Sequence, residues 1–334
     1  MTCLPRTWMN VGLWKTAGTH AIAVALLVVG TSSIATAQTI TPPDGGPAWV
    51  QVQRMLGGRG AMQPGGVLKF GFPRSDLHVT AGGVAIKPAL ALGSWVAFRR
   101  AGASASSPAM VMGDLVLTED EVAPVMQALQ QGGVEQTALH NHLLHESPHV
   151  MYMHIMAHGD AVKIATTIRA ALSASATPMP QSATGGTAPA TPATALDLDT
   201  VSIARALRAS GKVNGGVYQV SVPRTARITD QGVEIPPAMG VATGINFQPI
   251  GGGRAAITGD FVMTASEVNP VIRALREHGI AVTALHSHML TESPRLFFMH
   301  FWADDDAVKL ATGLGAALDQ MAVKRTATTG APSR

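Results

Sequence analysis

In the second half of the chain the spacing of apolar residues alternates between two periods. Val217-Tyr218-Gln219-Val220-Ser221-Val222 repeats every second residue, as a strand buried on one face does. Gly259-Asp260-Phe261-Val262-Met263 is again strand-like, and Val268, Val271, Ile272 and Leu275 then recur at helical spacing. Thr264 stands before that helix with Glu267 three residues on, the spacing of a capping box, and Gly279 ends it. A strand over 282–290, a turn at Ser293-Pro294, a strand over 296–302 and a helix over 304–318 follow; the acidic start of the last suits the helix dipole. Short helices are also predicted near 49–56 and 199–209. The order strand, helix, strand, strand, helix implies an α+β unit, an antiparallel or mixed sheet with helices packed on one face.

The unit occurs twice. His140, His142, Glu146 and His154 recur as His286, His288, Glu292 and His300, 146 positions later, and the same ungapped register aligns 111–172 with 257–318. Thr118 and Glu121 repeat the capping signal, and Gly65-Gly66-Val67 through Pro73-Arg74 resembles Gly215-Gly216-Val217 through Pro223-Arg224. Around the four matching polar residues the copies differ: Asn141 faces Ser287, His145 faces Thr291 and His149 faces Arg295. The expected layout is a signal segment over 1–37, a first repeat over 38–172, an Ala/Thr/Pro-rich linker over 173–195, a second repeat over 196–322 and a short basic tail over 323–334. The linker composition offers too little apolar surface to offset the entropy of ordering it.

Composition narrows the setting. Arg6 and Lys15, an apolar run over 21–29 and Ala35-Thr36-Ala37 before Gln38 have the layout of a cleaved secretory signal, so a periplasmic or secreted protein starting near Gln38 is expected. That run is short of the roughly 20 apolar residues of a spanning helix, so no integral membrane segment is expected in the mature chain. The only cysteine, Cys3, lies ahead of the cleavage site, which leaves no disulfide and no thiolate ligand in the mature chain. Without Arg6 and Lys15 the charge is close to neutral, and no basic run is interleaved with aromatics, which argues against nucleic acid as partner. Gly251-Gly252-Gly253 lacks the Lys and Ser/Thr of a phosphate loop.

The histidines carry the chemistry. Side chains two apart in a strand share a face, so His140 and His142 project together, as do His286 and His288. A hairpin centred on Pro148 would set His154 across from His142, and one centred on Pro294 would set His300 across from His288. Each repeat would then hold its own centre of three imidazoles with Glu146 or Glu292 as fourth ligand. Such a set suits a divalent ion, zinc by default, with nickel, iron or manganese open. By parity Met153 and Met299 point away from the histidine face, while Tyr152, Phe298 and Trp302 share it. Asp114 and Asp260 are turn or surface residues in one reading and supports for a ligating histidine in the other.

Three readings follow. The leading one is a binding protein with duplicated metal sites, whose partners are the metal and a small-molecule ligand. In the second, a hydrolase or lyase, three histidines hold the metal and Glu146 or Glu292 is the general base. In the third the histidines are structural and the chain is an envelope interaction module. His-x-His-x-x-x-Glu also looks like the first metal motif of cupins, but there the last His comes from a distant strand. With Thr283-Ala284-Leu285-His286-Ser287-His288, Phe298-Met299-His300-Phe301-Trp302, Gly216-Val217-Tyr218, Val222-Pro223-Arg224 and Gly259-Asp260-Phe261 in view, the chain resembles the LppY/LpqO family of exported bacterial proteins. The resemblance implies export and a duplicated fold unit, and brings no activity with it.

Overall fold

Alternation of apolar residues on both faces of the long strands forces a layered structure. In Ala109–Thr118 the odd residues Val111, Leu115 and Leu117 pack under helices, while the even residues Met110, Met112 and Val116 are buried on the opposite side. A strand covered on both faces needs a second layer there. The computed structural model, which describes residues 46–58, 60–104, 106–179 and 196–325, supplies it with the other half of the chain. The expected signal segment, residues 180–195 of the linker and the end of the tail lie outside the described residues.

Each half is an antiparallel six-stranded sheet. In the first the spatial order is Ala61–Gln63, Val67–Pro73, Gly93–Arg100, Ala109–Thr118, Val150–Gly159, Glu135–His140. The second repeats it with Gly211–Asn214, Val217–Pro223, Ala242–Gly251, Arg254–Met263, Phe297–Asp306 and Ala281–His286. The helices Pro47–Met55, Glu119–Gln131 and Ala161–Ser173 cover the outer face of the first sheet, and Thr200–Leu207, Ala265–Glu277 and Ala307–Leu318 that of the second. The two inner faces meet in a shared core that joins Met110, Met112 and Met156 to Val262, Leu296 and Phe298. The halves thus form one compact unit of helices, sheet, sheet, helices. Among the described residues no helix is long and apolar enough to cross a membrane.

Each half also lends the other an arm. The segment 75–92 leaves the first sheet and lies over the second: the Lys87 amide donates to Gln248 at 2.9 Å, and Gln248 donates back to Ala85 at 2.8 Å. Segment 225–241 does the reverse, and Ala238 accepts from Lys69 at 3.3 Å.

Both capping boxes form, and their glutamates do more than cap. Glu121 accepts from the Thr118 amide, from the Ala176 amide at 2.7 Å and from the fully buried Arg74 at 2.7 Å. Glu267 likewise joins Thr264, Ala322 and Arg224. Ala176 falls within the expected linker, so its first residues belong to the fold, with Thr177 buried. At the other end Lys324 donates to Pro223 at 2.8 Å, which holds the start of the expected tail.

Candidate metal centre

The third histidine of each repeat is on the expected face but in a different register. Val150–Gly159 lies between Ala109–Thr118 and Glu135–His140, so His154 is flanked by Asp114 and Ala138, and His140 faces Tyr152. His142 lies beyond the strand, in the loop that follows. The four-residue difference from the predicted pairing arises because 141–149 forms a wide loop around the cis Ser147–Pro148 bond. A bulge at Thr137 shifts the pairing by one more residue. The second half is the same: His300 is flanked by Asp260 and Ala284, with the bulge at Thr283.

These inner-face histidines meet across the junction of the two sheets. His140 stacks on His286 with ring centroids 3.7 Å apart, His142 on His300 at 3.8 Å and His154 on His288 at 3.7 Å. Tyr152 backs His142 at 3.3 Å and Phe298 backs His288 at 3.5 Å, so two three-ring stacks flank the central pair. The two expected centres are therefore one cluster of six histidines, built by both halves. Asp114 and Asp260 join it from mid-strand: Asp260 lies 3.0 Å from His288 Nε2, and Asp114 lies 3.7 Å from His142 Nε2. The turn reading of these aspartates is corrected, because each lies in a strand with a neighbour on both sides.

His286 Nε2 and His288 Nε2 pair with each other at 3.1 Å, and hydrogen bonds leave other ring nitrogens of the cluster unpartnered. His300 Nδ1 donates to the Gly259 carbonyl at 2.7 Å and His140 Nδ1 to that of Asn141 at 3.0 Å, so in each ring Nε2 is the lone-pair nitrogen. Nε2 of His140, His142, His154 and His300, Nδ1 of His286, and one oxygen each of Asp114 and Asp260 are buried with no hydrogen-bond partner. Buried polar atoms are ordinarily paired, so these seven mark a cluster whose donors a bound ligand could complete. Three groups bring one donor atom from each residue within 4.8 Å of the others: His140, His286, His300; His154, His286, His288; and Asp114, His140, His142. A small closing movement would set such atoms roughly 2 Å from a common ion.

Glu146 and Glu292 are outside these groups. Glu146 accepts from the Val150 amide at 3.1 Å and Glu292 from that of Leu296 at 2.8 Å, each closing its own loop, and Arg295 also reaches Glu292. Met153 and Met299 lie in the helix-side cores, as parity predicts.

The family described as Domain of Unknown Function (DUF1259) matches residues 50–174 and again 201–320, the two halves just described. The chain belongs to that family. No curated protein matches the chain. Among solved structures, the trimeric bacterial microcompartment shell protein PduB is 14% identical over 78% of this chain and 89% of its own, with a TM-score of 0.19. EtuB from Clostridium kluyveri is also 14% identical, over 78% and 90%, with a TM-score of 0.18. Neither superposes closely enough to carry an argument.

Burial sets the charge of the centre between the two DUF1259 halves. It pushes the His140 pKa down to about 3, with His300 adding to the effect, and holds His142 and His154 well below the ordinary imidazole value. These three rings are therefore neutral and their lone pairs available at physiological pH. Burial, reinforced by Asp260, pushes Asp114 up to about 8. For Asp260 burial acts in the same direction, but His300 and His288 outweigh it and hold that carboxyl low. The two aspartates titrate as a pair, and a dication among them would draw both to the ionised form. A cleft of about 820 Å³ opens between the sheets onto Asp114, Asp260, His142, His154, His288 and His300.

Proposed function

We propose that the chain is an exported metal-binding protein whose two repeats hold divalent metal in one shared centre. The ligands are drawn from His140, His142, His154, His286, His288 and His300, with Asp114 and Asp260. The observation that carries this reading is the convergence of seven buried, unpartnered nitrogen and oxygen donors at the junction of the sheets. Neutral imidazoles and carboxylates at the floor of a cleft suit zinc first and other borderline divalent ions next. The leader-like start and the likeness to LppY/LpqO proteins support export.

Asp114 and Asp260 beside the centre are the carboxylates that could act on a metal-bound water, since Glu146 and Glu292 lie outside the donor groups and each gives one oxygen to a loop amide. Binding is the reading favoured here, because the cluster of donors carries it without any further group. Elemental analysis of the purified mature chain tests it: bound divalent metal is expected, removable by chelator and restored by zinc. Protein that holds none, and takes up no zinc, nickel, iron or manganese, contradicts the reading.

A further inference from the structure

We infer that the cleft over the shared centre is the binding site for a small organic anion, with an acidic group held by Lys69 and an apolar body lying toward the histidines. This rests on the metal reading only for the floor of the cleft. The two ends of the cleft differ in chemistry although the fold is duplicated. On the first-half wall Lys69 projects from Val67–Pro73 with its ammonium 3.9 Å from the Trp95 ring centroid. Its one hydrogen bond is to the Ala238 carbonyl, at 3.3 Å.

Among the described residues no carboxylate lies within ion-pair distance of Lys69. Its charge is balanced only at longer range by Asp114, and burial lowers its pKa to about 8. The Trp95 face and the Ala238 carbonyl satisfy this partly buried ammonium only in part, and an anionic group in the cleft would complete it. The equivalent place in the second half is Gln219, which spends its amide on the Ala89 carbonyl at 2.8 Å and is electrically neutral. The cleft therefore has one cationic end. Its sides are largely apolar, with Phe72, Pro88, Leu90 and Trp95 beside a few neutral polar residues such as Ser94 and Asn246, and its volume falls in the range of small-molecule sites. One cationic group on the wall, largely apolar sides and a floor where bound metal would offset Asp114 and Asp260 together select a ligand with a single carboxylate or phosphate on an apolar body.

Benzoate and phenyl phosphate are suitable probes, with benzamide as the uncharged control, each titrated calorimetrically into zinc-loaded protein. Lys69→Gln is the matched variant, because glutamine already occupies this position in the other repeat. Saturable binding of at least one anion to the native chain is expected, weakened about tenfold or more by Lys69→Gln, with benzamide insensitive to the substitution. Zinc content, measured on the same samples, should be equal in both proteins. Anions that fail to bind the native chain, or bind Lys69→Gln equally well, overturn the inference. Loss of zinc from the native chain would instead count against the metal reading, so the two fail separately.

Discussion

The Thr137 hydroxyl donates to the His288 carbonyl at 2.6 Å, and its counterpart Thr283 donates to the His142 carbonyl at 2.5 Å. Each threonine is the extra residue of a bulge, the device by which a strand re-aims one side chain. The backbone beneath the second histidine of each repeat is thereby positioned by the other repeat. Thr137→Val keeps the shape and leaves a buried carbonyl short of a donor. It should cost about 1–2 kcal/mol in urea unfolding and weaken metal binding, whereas Thr137→Ser should retain most of both.

The buried Arg224–Glu267 pair also ties the strand Val217–Pro223 to a helix start and to Ala322. Removing one partner leaves an uncompensated buried charge. Glu267→Gln should therefore destabilise by about 3 kcal/mol, and Glu121→Gln by a similar amount, each measured as a shift of the denaturation midpoint at unchanged slope.

Acid should unfold the metal-free protein early. His140, His142, His154 and His300 all have folded pKa values below the ordinary 6.5, so below that pH the unfolded chain binds protons that the native chain refuses. Stability then falls as pH drops from about 6.5 toward about 3, the folded value of His140. Asp114 acts oppositely: its raised pKa favours the native state increasingly as pH falls from about 8 toward 3.8. Glu146, raised by burial to about 7, acts with Asp114, and the five lowered imidazoles, His286 included, outweigh these two carboxyls. Thermal melts of chelated protein should show a lower midpoint at pH 5 than at pH 7.5; an equal or higher midpoint at pH 5 would contradict the buried, neutral histidines.

Tyr152 and Phe298 occupy equivalent places, each stacked on the second histidine of its own repeat, yet the Tyr152 hydroxyl is buried without a partner. Tyr152→Phe should leave stability unchanged or raise it by about 1 kcal/mol, with metal content intact. Phe298→Ala should lower stability by about 3–4 kcal/mol and loosen His288, read as weaker zinc binding in a competition titration.

Much of this was legible from residue spacing. Period-two and helical patterns locate the strands and helices, the capping boxes at Thr118 and Thr264 mark two helix starts, and parity puts His140 and His154 on one face. Register was not legible, because a hairpin sum assumes a tight turn, whereas 141–149 is a wide loop and Thr137 adds a bulge. Nor does an offset of 146 residues say whether two equal surfaces face solvent or each other. A signal was present all the same: Met110, Met112 and Val116 make the inner face of their strand as apolar as its outer face, which calls for a covering layer. Asp114, aligned within that strand rather than at its end, belongs to the same buried face and so to the histidines it meets.

The central claim is that the two repeats build one centre rather than two. Metal content of the His286→Ala, His288→Ala double variant, set against that of the native chain, tests it most directly. A shared centre predicts loss of nearly all tightly bound metal, although every histidine of the first repeat is intact. Retention of half the native content, at unchanged affinity, would contradict it and restore two independent sites.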